Sequence, residues 1–138
     1  MADTFKLSVL TPTAEVFSGV VSTVSVSGEQ GEFGVLPGHV AYITAVKPGV
    51  LEIVDPSGTT VHAVGDGFAQ VAADKVSIIV SSCVAGGAVD VSAEQTRLAS
   101  AEKTLLEQGA GAPGYAAAQV DAALAMGRLD AAERSASA

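Results

Sequence analysis

The stretch Gly28-Glu29-Gln30-Gly31-Glu32-Phe33-Gly34-Val35-Leu36-Pro37-Gly38-His39, continued by Val40-Ala41-Tyr42-Ile43-Thr44-Ala45-Val46 and Lys47-Pro48-Gly49-Val50-Leu51, decides the architecture of the first part of the chain. Leu36-Pro37-Gly38-His39 and Lys47-Pro48-Gly49-Val50 each fit a type II turn, in which proline presets the first central residue and glycine supplies a positive φ at the second. Between them Val40 to Val46 is long enough for one strand. The stretch reads as strand, tight turn, strand, tight turn, strand.

Period-two alternation continues on both sides. Phe5, Leu7 and Val9 share one face of a strand, with Lys6 and Ser8 on the other. Val20, Ser22, Val24 and Val26 belong to a second run that Gly28 ends. Leu51 and Ile53 alternate with Glu52 before Asp55-Pro56-Ser57-Gly58, a turn with Asp first, Pro second and Gly last. Thr59 to Val64 returns as the hairpin partner. Ala73-Asp74-Lys75 joins Phe68–Ala72 to Val76–Ser81 as another hairpin. Closely spaced turn signals with alternating runs between them predict an all-β sandwich or flattened barrel over residues 1–88.

The texture changes near Gly86-Gly87-Ala88, and residues 89–138 become rich in Ala, Glu, Gln, Leu and Arg. These are good helix formers. Ser92, with Gln95 three residues on, fits an N-cap and capping box. Leu98, Ala101 and Leu105, flanked by Ala99 and Leu106, make an apolar stripe that Gln108-Gly109-Ala110-Gly111-Ala112-Pro113-Gly114 ends. A second helix is expected from Tyr115 to Arg134, with Val120, Leu124 and Gly127 or Ala131 along one face. Asp130 and Arg134 stand four apart in the favourable order, worth about 0.3 kcal/mol if exposed. The result is an αα-hairpin. Alanine methyls bury little area, and short helices are marginal alone, so this hairpin is expected to pack lightly on the sandwich and to be able to detach.

The 138 residues carry a net charge of −8, and both halves are acidic. Residues 1–88 hold 3 basic and 8 acidic groups, and residues 89–138 hold 4 and 7. Nucleic acid is excluded as a partner, because binding it requires Lys and Arg to neutralise phosphates. Direct insertion in a membrane is excluded too, since no apolar run reaches the roughly 18 residues of a span. The start of the chain lacks the basic and apolar segments of a signal peptide, so a cytoplasmic location is expected. The single cysteine, Cys83, can form no internal disulfide and reads as a small buried residue.

No constellation reads as an active site. Glu29 and Glu32 lie on a glycine-bounded segment read as an exposed loop, without the burial that acid-base pairs need. His39 and His62 have no ligand-type neighbours at metal spacing, and His62 is expected on a strand surface. No serine has a Gly-x-Ser-x-Gly context. Gly31-x-x-Gly34 and Gly65-x-Gly67 do not lead from a strand into a helix with a Lys-Ser/Thr pair, as a phosphate loop would.

With these residues set out, the segment Gly31-Glu32-Phe33-Gly34…Pro37-Gly38-His39, followed by Thr44-Ala45-Val46-Lys47-Pro48-Gly49, resembles the signature of the F-type ATP synthase ε subunit family, over most of the first 88 residues. The resemblance implies an N-terminal ten-stranded antiparallel β-sandwich and a C-terminal two-helix antiparallel hairpin. It implies a non-catalytic rotor subunit that joins γ to the c ring and couples proton flow to ATP synthesis, peripheral on the cytoplasmic face of a bacterial membrane. Gly31, Glu32, Phe33 and Gly34 would face the c ring, and Pro37, Gly38 and His39 would lie near γ. The hairpin would regulate ATP hydrolysis, reaching the α/β catalytic head when extended. Some members bind ATP through Ile/Leu-Asp-x-x-Arg-Ala in the first helix and arginines of the second. Here Ala93-Glu94-Gln95-Thr96-Arg97-Leu98 departs from that pattern at the acid and after the arginine, which counts against ATP as a regulatory ligand. The matching positions are Glu94, Arg97, Arg128 and Arg134. No cofactor is implied. The competing expectation is a free-standing β-sandwich that binds a small ligand or peptide, with a helical tail.

Overall fold

The computed structural model describes residues 4–28, 31–35, 41–72 and 75–137. Nine strands run through the first part: β1 Phe5–Leu10, β2 Glu15–Val21, β3 Thr23–Gly28, β4 Gly31–Val35, β5 Tyr42–Asp55, β6 Gly58–Val64, β7 Gly67–Val71, β8 Lys75–Val80 and β9 Cys83–Ala85. A 3-10 turn, Gly86–Ala88, leads to helices α1 Val91–Glu107 and α2 Tyr115–Ser137.

The strands pair in the order β2-β1-β8-β7-β5-β3-β4, with β6 on β5 and β9 on β6. β5 is the shared member. Its first part, Tyr42 to Val46, pairs with β7, and its second, Gly49 to Asp55, with β6. The sheet therefore folds over itself at β5. Buried Phe5, Leu7 and Val9 of β1 and Val76, Ile78 and Val80 of β8 meet Val24 and Val26 of β3 and Leu51 and Ile53 of β5 in a single core. The alternation read in β1 holds, with Lys6 exposed between Phe5 and Leu7.

Four expectations are corrected. The second Pro-Gly pair does not turn the chain. β5 runs through Lys47-Pro48-Gly49, and Gly49 has no positive φ, unlike Gly58 (φ 142) in the β5–β6 hairpin. Pro48 stands between the stretches of β5 that pair with β7 and with β6, so its missing N–H is not needed where the strand passes between layers. The described residues hold nine strands, where the resemblance implies ten. The sandwich is also not wholly antiparallel, because β1 lies parallel to β8 from Lys6↔Lys75 to Leu10↔Ile79. Those two strands are far apart in sequence, and no hairpin fixes their relative direction. Glu32 stands in strand β4, opposite Ser27, not on a loop. The first helix is capped by Asp90, whose side chain accepts a hydrogen bond from the Ala93 N–H at 3.1 Å, so Ser92 falls inside the first turn.

The hairpin covers the outer face of the second layer. Val50, Val61 and Ala63 from β5 and β6 surround fully buried Ala131 of α2. Small residues allow close approach here: a Cβ on Gly127 would stand 2.9 Å from the Gly49 Cα, and one on Gly86 would stand 2.6 Å from the Ala131 carbonyl oxygen. The stripe read on α2 holds at Gly127 and Ala131, which are buried, and fails at Val120, which is exposed while Ala118, Ala122 and Ala125 are buried.

Candidate functional site

Where α1 and α2 meet, Glu94 is the buried charged side chain among the described residues. It lies in the first turn of α1, where a carboxylate also favours the positive end of the helix dipole. Arg128 of α2 places its Nη1 3.4 Å from Glu94 Oε1 and 3.5 Å from Oε2. Arg97, one turn along α1, places its Nε 3.7 Å from the same carboxylate. Three of the four residues matched to the nucleotide motif thus converge, but on one another. Arg134 does not join them. It donates from Nε to Asp130 Oδ1 at 3.2 Å, and its Nη1 lies 3.6 Å from Glu52 Oε2 on β5. Six residues along a helix separate Arg128 and Arg134 by roughly 120°, so the two guanidinium groups serve different flanks.

The residues matched to the c-ring segment, Gly31 to Gly34, lie in β4, an edge strand paired only with β3 in the described sheet. Pro37, Gly38 and His39 fall outside the described residues.

A surface missed by the sequence reading lies on the outer face of the first layer. Phe68 of β7 stands directly across from Ile79 of β8. They are 60% and 45% exposed, and Ile43 on β5 is 68% exposed. Leu10 of β1 extends the row on the far side of Ile79. Ile78-Ile79-Val80 carried the signal: three consecutive apolar residues in a strand cannot all face one core.

An open groove of about 650 Å³ runs between helices and sheet, lined in part by Pro48, Gly49, Leu98, Met126 and Arg134, with no aromatic side chain. Two further titratable groups, Cys83 and His62, lie on β9 and on the strand beside it. Burial pushes the Cys83 thiol up to about 11, which keeps it neutral and unreactive at neutral pH. His62 is not a surface residue as expected: it is half-buried, and its Nδ1 is buried without a hydrogen-bond partner. Among the described residues no cluster of His, Cys, Asp or Glu is arranged to hold a metal ion, and no helix is long and apolar enough to cross a membrane.

Residues 4–96 match the family described as "ATP synthase, Delta/Epsilon chain, beta-sandwich domain". The chain is 37% identical over 112 residues to the ATP synthase epsilon chain of Desulforapulum autotrophicum, covering 80% of this chain and 83% of the relative. It is 33% identical over 90 residues to that of Maricaulis maris, covering 65% and 68%. In fold it is similar to a chain of the Euglena gracilis mitochondrial ATP synthase (OSCP/F1/c-ring), with a TM-score of 0.84 at 20% identity over 96% of this chain and 83% of that one. A chain from the central stalk and c-ring of the Tetrahymena thermophila enzyme gives 0.65 at 18% identity over 92% and 95%. A β-sandwich that folds over a shared strand and carries a two-helix hairpin on its outer face, together with these relatives, makes the chain a member of the ATP synthase epsilon chain family.

Proposed function

We propose that this chain is a non-catalytic central-stalk subunit that joins γ to the c ring on the cytoplasmic face of a bacterial membrane and couples proton flow to ATP synthesis. The observation that carries this reading is the exposed apolar row of Ile43, Phe68 and Ile79 on one sheet face. Such a row on a sheet face fits burial against a protein partner, and we assign it to γ, alongside Pro37, Gly38 and His39. The β3–β4 end, with Gly31, Glu32, Phe33 and Gly34, takes the c ring, where an acidic residue suits Arg or Lys.

The hairpin is the regulatory element in this reading, folded against the sandwich or extended toward the α/β head. Glu94 is ion-paired with both Arg97 and Arg128, so we give that cluster the role of a clasp between helices. ATP phosphates would have to displace the carboxylate to use either arginine. The groove without aromatics speaks against a free-standing ligand-binding module.

Phe68→Asp, on an exposed position, should fold normally yet weaken recovery of the chain with γ by roughly 30-fold or more, the loss expected of a central interface residue. Membranes lacking the chain should lose coupling between proton transport and ATP turnover. Full coupling in its absence rejects the stalk role.

A further inference from the structure

One polar group is used neither by the clasp nor by the partner surfaces. His62 lies in β6 between Leu51 of β5 and Ala85 of the three-residue strand β9. Its Nδ1 is buried with no hydrogen-bond partner. A neutral imidazole tolerates this by carrying its proton on Nε2 and leaving Nδ1 as an unused acceptor. An imidazolium does not, because it places an N–H donor where no acceptor exists.

The surroundings make that penalty mechanical. His62 lines a cavity of about 310 Å³ with Thr60, Ala85, Gly86, Gly87 and Ser135. No carboxylate lines it. Across β5, Leu51 is apolar, and Glu52 stands opposite Val61 and is ion-paired with Arg134. Cys83 is the titratable side chain of β9, and its thiol is neutral. The 3-10 turn contributes glycines and alanine. On α2, Arg134 is directed to Asp130 and Glu52, and Glu133 is exposed. β9 continues directly into Gly86, which is pressed against the Ala131 carbonyl and Ser135 of α2. The strand that would have to yield to solvate His62 therefore leads straight to the seat of the helix.

We propose that His62 is a proton-sensitive latch: protonation of its buried ring nitrogen opens the β6–β9 edge and releases the end of α2 from the sandwich. The inference rests on the fold of the chain and is independent of the stalk role proposed above. Burial holds the His62 pKa below the usual 6.5, so the folded state binds fewer protons than the unfolded one. The stabilisation is therefore present above about 6.5 and is lost as pH falls through the depressed value.

Hydrogen exchange on the full chain tests this. Between about pH 7.5 and pH 5.5, after correction for intrinsic exchange, protection of β9, the 3-10 turn and the α2 end should fall by up to roughly tenfold, the limit for one histidine that titrates at about 6.5 once released. Protection of β1 and β8 should not change. His62→Gln should abolish the pH dependence. Protection that is insensitive to pH in the natural chain, or an equal loss in His62→Gln, overturns the proposal. If that variant does not fold, NMR titration of His62 in the natural chain decides. A pKa below 6.5 that tracks the loss of protection supports the latch, and a pKa at or above 6.5 removes it.

Discussion

Gly49 and Gly127 meet backbone to backbone where α2 crosses β5. A methyl on Gly127 would lie 2.9 Å from the Gly49 Cα and 3.1 Å from its carbonyl oxygen, and neither atom belongs to a side chain that can swing away. Gly127→Ala should therefore push the helix outward and destabilise the chain by about 1–3 kcal/mol, the usual range for overpacking. Urea denaturation checks the magnitude, and hydrogen exchange should place the loss in α2; unchanged stability would show that the seam has slack. The same pair explains what the sequence could not convey. Pro48-Gly49 has the chemistry of a turn, and nothing local distinguishes a glycine needed for positive φ from one needed to admit a helix 78 positions later in the chain. By contrast, Asp55-Pro56-Ser57-Gly58 was readable because its interactions are local. Asp55 Oδ1 accepts from the Ser57 N–H at 2.8 Å, and Gly58 takes the positive φ. Asp90 and Ser92 are both capping types, and the placement of the preceding 3-10 turn chooses between them.

At the level of elements, the strands with one buried face were legible from alternation, and the helices from composition and the Gly-rich break between them. The orientation of α2 was legible at Gly127 and Ala131 but not at its first turns. A helix with alanine on every side has no strong apolar direction of its own, so its partners decide which alanines are buried. That is why Ala118, Ala122 and Ala125 face inward while the larger Val120 does not. Among the described residues, the buried side chains of the two helices are alanines apart from Glu94, so the ionic clasp matters more. Glu94→Gln would leave the Arg128 side chain, 17% exposed, without its charge partner. The expected cost is about 2 kcal/mol. It should appear as earlier melting of the two helices by far-UV circular dichroism, with the strand signal retained. A helix transition at the original temperature would assign the pairing of α1 and α2 to packing alone.

For the whole molecule, the main core draws all its residues from strands, and the smaller cluster at the helices holds Val50, Val61, Ala63 and Ala131. A chain ending at Val89 should therefore keep its sandwich and unfold cooperatively. It should also be more prone to association, because the faces of β5 and β6 that α2 covers become bare. Denaturation and molar mass by light scattering report both outcomes; loss of the β fold would mean that the helices are part of the core. In the assembled complex the same truncation should retain coupling. The passage of β5 through both layers has a mechanical consequence for such a stalk. Twist applied to one sheet is handed to the other along a covalent backbone, so the two halves cannot shear past each other unless β5 itself is stretched.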